Sequence, residues 1–147
     1  MKLEGSAQVA GTREALYERL LDPAFLARCI PGCESLERVA EDTYDITVNA
    51  GVGPVKGSFR GQVRLTDQAP PEGYLMNVSG KSPVGHAEGS ARLRLAEHEG
   101  GVRITYEGEA RVSGLIASVG GRLVGAAAKK VAAQFFDKVA EEVSVSG

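Results

Sequence analysis

The only thiols of the chain, Cys29 and Cys33, flank a proline and a glycine in the string Cys-Ile-Pro-Gly-Cys, and they are the first place to look for chemistry. Three residues intervene where a thioredoxin-like redox site has two. A tetrahedral zinc would need two more ligands, and the only histidines, His86 and His98, lie far along the sequence. Pro31-Gly32 reads instead as a tight turn, proline fixing φ at the first central position and glycine supplying a positive φ at the second. Free, half-buried thiols are expected; a disulfide would have to fit that turn, and nothing else in the chain points to an oxidising compartment.

His86 and Glu88 sit two apart on one strand and so share a face, which would suit a general acid–base pair. The plainer reading is an ion pair on an exposed strand face. No H-E-x-x-H accompanies them, the P-C-x-x-C partner of a zinc deaminase is missing, and there is no G-x-S-x-G nucleophile elbow. Cys29 falls at the end of a helix, where the helix dipole opposes a thiolate. The glycines of Gly51-Val-Gly-Pro-Val-Lys-Gly57 superficially suggest a phosphate loop, but Lys56 precedes the last glycine and no helix follows, so a hairpin turn is expected. His98 is expected at a solvated hairpin tip. These residues predict no metal, no cofactor and no catalytic constellation, and therefore a binding module rather than an enzyme.

The elements that carry these residues can be read from periodicity. Residues 2–9 alternate as a strand. Thr12 caps a first short helix, and Asp22-Pro23 caps and opens a second that runs to about Cys29. Six period-2 segments follow, Ser35–Ala40, Thr43–Ala50, Val55–Asp67, Tyr74–Gly80, Val84–Glu97 and Val102–Val112, with turn residues between them. Such short connections require an antiparallel meander. From Leu115 to Val143 apolar residues fall at threes and fours, which predicts one long amphipathic helix.

The 147 residues are expected to form one domain. One apolar sheet face and one apolar helix stripe are buried most cheaply against each other, the wide twisted sheet curling around the helix. The fold class is thus α+β, a seven-stranded curved antiparallel sheet gripping a long C-terminal helix, with two short helices after the first strand. The formal charge of −2, with signs interspersed along the chain, offers no basic field for nucleic acid. Glu4 interrupts what a signal peptide would need, and the weakly polar stretch around residues 114–128 is too short and too small in side chain to span a bilayer. A cytoplasmic protein is expected, with peripheral membrane contact open.

Nineteen glycines against four Phe, four Tyr and no Trp make an incompletely filled interior plausible. The last helix is unequal along its length: Gly120, Gly121 and Gly125 lie in its first half, Phe135 and Phe136 in its second. A hollow is expected under the glycine-rich half, the alternative being glycines that let helix and sheet close on each other. Its lining should include Ile46, Val48, Phe59, Met76, Val78, Ala87, Ala91, Ile104 and Tyr106 from the strands, with Val119, Leu123 and Ala127 from the helix. Met76 is the most adaptable of these, and Tyr106 offers a hydroxyl to a polar head group.

The segments DPAFLARCIPGCESLE (22–37), VGPVKGSFRGQVRL (52–65), PPEGYLMNVSG (70–80), GHAEGSARLRL (85–95), YEGEARVSGLIASVGGRLV (106–124) and FFDKV (135–139) resemble the CoxG family, named for the G subunit of carbon monoxide dehydrogenase, within the START-like, SRPBCC superfamily of helix-grip domains. The resemblance covers nearly the whole chain. It implies a curved sheet gripping a C-terminal helix, a cavity for a quinone, lipid or other apolar molecule, and service to a molybdenum hydroxylase such as carbon monoxide dehydrogenase, in membrane recruitment or quinone delivery at the inner membrane face. It also makes Cys-Ile-Pro-Gly-Cys a family turn. Many members carry a polar linker and hydrophobic tail after the domain; this chain stops at Gly147, so permanent anchoring is not carried over. The superfamily also holds polyketide cyclases and dehydratases, so the rival expectations are an enzyme using Tyr106 or His86 in the same cavity, and a ligand-free recruiter that docks by its surface.

Overall fold

The computed structural model describes residues 1–146, with nothing to be said of the side chains of residues 145 and 146. Strand β1 (Lys2–Val9) is followed by helices α1 (Arg13–Arg19) and α2 (Pro23–Cys29). Strands β2 (Cys33–Ala40), β3 (Thr43–Val52), β4 (Val55–Ala69), β5 (Gly73–Ser82), β6 (Gly85–His98) and β7 (Gly101–Ser113) then run as a meander. All pair antiparallel in the order β1-β7-β6-β5-β4-β3-β2, so the first strand closes one edge beside the last. The seven-stranded sheet expected from alternation is present.

Capping chemistry sets the two short helices. Thr12 Oγ1 accepts from the Ala15 amide at 3.2 Å, and Asp22 Oδ1 from the Ala24 amide at 3.0 Å, with Pro23 in the first turn of α2. The carbonyls leaving α1 are taken up by the sheet. The buried Tyr44 hydroxyl donates to the Leu21 carbonyl at 2.6 Å and Arg38 Nη2 donates to the same oxygen at 3.0 Å, while Tyr74 donates to the Leu20 carbonyl at 3.2 Å. Cys-Ile-Pro-Gly-Cys is a turn: the Cys33 amide returns to the Ile30 carbonyl at 3.2 Å and Gly32 adopts φ 73°. Both cysteines are free; Cys29 is fully buried and Cys33 half-buried. Gly53-Pro54 forms the expected two-residue hairpin tip, with Val52 paired to Val55.

The single helix expected over 115–143 is not formed. A 3-10 turn (Leu115–Val119) comes first, Gly120 at φ 105° breaks the chain direction, and α3 (Gly121–Ser146) follows. The apolar spacing runs on through the break, but both flanking glycines, Gly114 and Gly120, hold positive φ that no helix contains.

Charge is also sorted more sharply than the chain order suggests. The tips β2–β3, β4–β5 and β6–β7, on the side of α1, carry Glu41, Asp42, Asp67, Glu72, Glu97 and Glu99. Toward the opposite end basic side chains predominate: Lys56, Arg60, Lys81, Arg111, Arg122, Lys129 and Lys130, against Glu34, whose carboxylate accepts from Asn49 Nδ2, and Glu88, across from Arg111.

Candidate functional site

The apolar interior falls into two clusters rather than one. The larger is built from Val9, α1, α2, the second half of α3 and the near half of the sheet, with Tyr44, Tyr74, Leu93 and Ile104 buried in it. The smaller, at the far end, holds Val52, Phe59 and Ile116, with Val84, Ala87, Val112, Val119 and Ala127 partly buried against it. Between them, alternation puts Gly61, Val78, Gly80, Gly89, Gly108 and Ala110 on the concave face as a belt of small side chains.

Two observations indicate that the belt is not filled from above. Val78, on the concave side of a central strand, is 38% exposed. Helix α3 draws near β1, β3 and α2 and approaches β4, β5 and β6 only marginally. A methyl group on Gly120, Gly121 or Gly125 would meet no atom within 4 Å, and since Gly120 and Gly121 are exposed, these two face solvent rather than the sheet. The belt glycines differ: a methyl on Gly61 would strike the Ser79 carbonyl and one on Gly108 the Ser90 carbonyl, so here the bare backbone lets the strands bend tightly.

Of the residues expected to line the hollow, Val78 lies in the belt itself. Ile46 is buried in the larger cluster, and Val48, Met76 and Ala91 are half-buried against it, while Phe59, Ala87, Val119 and Ala127 belong to the smaller one. Ile104 is wholly buried and fills the core rather than facing open space. Tyr106 stacks on Phe136, with ring centroids 4.1 Å apart and planes at 9°, and its hydroxyl lies over Gly5. Burial, and secondarily Asp137, push its pKa upward. Leu123 stands on the solvent side of α3, 52% exposed. Not expected from the sequence were Gly80, Gly108, Ala110 and Val124, the last buried yet in neither cluster. Alternation with Val78 and Tyr106 was the signal for the first three.

The acid–base pair does not form inside. Ala87, Gly89 and Ala91 take the concave side of β6, so His86 and Glu88 point outward, where Glu88 stands across from Arg111. His98 lies at the β6–β7 tip, its Nδ1 3.2 Å from Gln8 Oε1. Among the described residues no group of three or more His, Cys, Asp or Glu could hold a metal ion. Burial, then the nearby Glu142, raise the Cys29 thiol to about 11, which keeps it protonated and unreactive. Two open depressions, of about 440 and 490 Å3, lie away from the belt: one under Arg92, Arg94 and Arg103 on the convex face, the other along the β3–β4 hairpin. The walls of the first are charged strand faces, and neither offers the apolar enclosure of a site for an uncharged guest.

A conserved protein from Geobacillus kaustophilus is 33% identical over 99% of this chain and 97% of its own, with a TM-score of 0.91. The same fold recurs in a protein from Thermus thermophilus (14% identity, 100% and 99% coverage, TM-score 0.73) and in the ZhuI aromatase/cyclase from Streptomyces sp. R1128 (15% identity, 98% and 93% coverage, TM-score 0.67). No curated protein matches the sequence. The profile of CoxG, the G subunit of carbon monoxide dehydrogenase, matches residues 5–144, from the middle of β1 to the last turns of α3 and so across both clusters and the belt between them. The chain belongs to the carbon monoxide dehydrogenase CoxG family.

Proposed function

We propose that this protein is a non-catalytic carrier of a neutral apolar molecule, a quinone or a lipid, and that it serves a molybdenum hydroxylase such as carbon monoxide dehydrogenase at the membrane surface. The observation that carries the reading is the belt: six small or partly wet positions between two apolar clusters, beside the start of α3 with its buried Val124 and its Ala127. The guest is neutral because the concave face from β3 to β7 offers no charged side chain; its ionisable groups are the hydroxyls of Tyr44, Tyr74 and Tyr106. A carboxylate or phosphate drawn inside would meet no cation to offset its desolvation.

The family description supports the partner, since it names a component of carbon monoxide dehydrogenase. Among the described residues no helix is long and apolar enough to cross a membrane. The segregated charge favours a peripheral contact made by the predominantly basic end, beside the belt, where anionic headgroups would be attracted. A cyclase mechanism loses one of its two expected residues to the convex face, and the other, Tyr106, is occupied in stacking on Phe136.

Native mass spectrometry of gently purified protein tests the carrier reading. A retained neutral apolar molecule, or uptake of an added quinone at one per chain, is the expected result. Protein that is empty and takes up neither quinone nor lipid would overturn it in favour of a recruiter that works by its surface.

A further inference from the structure

The 3-10 turn Leu115–Val119 is joined to its surroundings through two glycines in conformations closed to side-chain-bearing residues: Gly114 at φ 87°, ψ −159° and Gly120 at φ 105°, ψ 147°. Between these pivots it lies against β3, β4, β6, β7 and α3. One backbone hydrogen bond ties it to the sheet, from the Ile116 amide to the Val84 carbonyl at 2.8 Å. Two side chains, Ile116, 5% exposed, and the half-buried Val119, seat it on the cluster of Val52 and Phe59. Gly85 keeps that seat clear, since a methyl there would come within 2.9 Å of Ile116 Cγ2. Leu115 on the same turn is 58% exposed and gives up little contact if the turn moves.

The other walls are fixed. The sheet is continuous in hydrogen bonds from β1 to β2, the second half of α3 is locked into the larger cluster and tied to α2 by Arg28 and Glu142 at 2.7 Å, and the end of α1 is held by Tyr44 and Tyr74. We propose that the turn Leu115–Val119, swinging on Gly114 and Gly120, is the gate through which the guest enters and leaves the belt; this rests on the carrier reading above. The belt already meets water beside Val78, and lifting Ile116 joins that aperture to the space over Val52 and Phe59. Moving the turn costs one backbone hydrogen bond and the seats of Ile116 and Val119 while leaving every strand pairing intact, as an element that gates access must.

Stopped-flow exchange of the neutral fluorophore N-phenyl-1-naphthylamine on purified full-length protein tests this. Gly120→Ala is a clean perturbation: its methyl meets nothing within 4 Å, so it acts only by disfavouring the backbone conformation that holds the turn shut. Entry and release should both accelerate by about ten-fold in Gly120→Ala and in Ile116→Ala, with Kd moving less than about three-fold because the belt itself is untouched. Ile116→Val, which removes a single methyl, carries the same comparison if Ile116→Ala does not fold. Hydrogen exchange should find the Ile116 amide poorly protected and still less so in Gly120→Ala, with the amides of β6 unchanged. Uptake at rates indifferent to these substitutions overturns the gate and leaves the carrier standing. Failure of wild-type protein and all variants to take up the probe overturns both.

Discussion

Replacing Val78 by phenylalanine sets two descriptions of the interior against each other with opposite signs. Val78 faces the concave side of β5 yet is 38% exposed, so part of its side chain still meets water. Complete burial of a side chain of this class contributes about 1.5–3 kcal/mol, and covering the remaining third is therefore worth on the order of 0.5–1 kcal/mol. A phenyl ring that enters open space over Gly61, Gly80 and Gly89 gains at least that, and Tm should rise by about 1–3 °C for a chain of this size. In a filled interior the same ring would be forced off its rotamers or against the backbone at a cost of about 1–3 kcal/mol. Urea unfolding and thermal melting read the sign, and fluorescence of a neutral apolar probe reads occupancy. A variant that is more stable and has lost probe binding is expected. A variant destabilised by more than about 1 kcal/mol that still binds the probe as well as wild type would refute the reasoning, because the ring would have clashed without occupying the site.

Tyr44→Phe should cost about 1 kcal/mol in urea unfolding: it removes the 2.6 Å bond from a buried ring to the part-buried Leu21 carbonyl, which keeps its Arg38 donor, and takes from Arg38 Nη2 its hydroxyl partner at 3.1 Å. The raised pKa of Cys29 predicts a stability loss at alkaline pH. The unfolded thiol releases its proton near its ordinary value while the native one holds it to about 11, so stability falls as pH rises through that window, by up to roughly 3 kcal/mol. Cys29→Ala should flatten that slope whatever it does to the midpoint at neutral pH, and iodoacetamide should label Cys33 well before Cys29 in the native protein. The protein should co-sediment with phosphatidylcholine vesicles containing phosphatidylglycerol and not with phosphatidylcholine alone. Reversing Lys129 and Lys130 to glutamate should lower that partitioning by at least about ten-fold, and binding to anionic vesicles that ignores the reversal would show that the basic end is not the face in contact.

Much of the fold was legible because local and global signals agreed. Thr12 and Asp22-Pro23 are helix starts in sequence and in space, and Pro31-Gly32 makes the turn that its residue types require. Strand alternation placed Ile46, Phe59, Met76 and Tyr106 on the concave side. Two features escaped for physical reasons. The break at Gly120 is invisible to a periodicity argument because the apolar spacing continues across it, and only the φ values of Gly114 and Gly120 end the helical path. The spread of charge looked interspersed along the chain because adjacent hairpin tips alternate between the two ends of a meander; folding collects every second tip and so separates what the sequence mixes. The candidate site was legible only in part. The larger side chains around the hollow could be named, but its floor is made of Gly61, Gly80, Gly89 and Gly108, and glycine carries no hydrophobic signal to follow.

That bare floor limits how such a protein can change its guest. A methyl at Gly61 or Gly108 would collide with a neighbouring strand's carbonyl, so mutation cannot raise the floor there in single steps without breaking the curvature on which the proposed hollow depends. Gly80 is freer, its nearest neighbour being Phe59 Cβ at 3.4 Å, and on the roof Gly125 has no neighbour within 4 Å. Diversification of cargo among relatives should therefore be written in the helix and at a few permissive strand positions, leaving the sheet as an inherited mould.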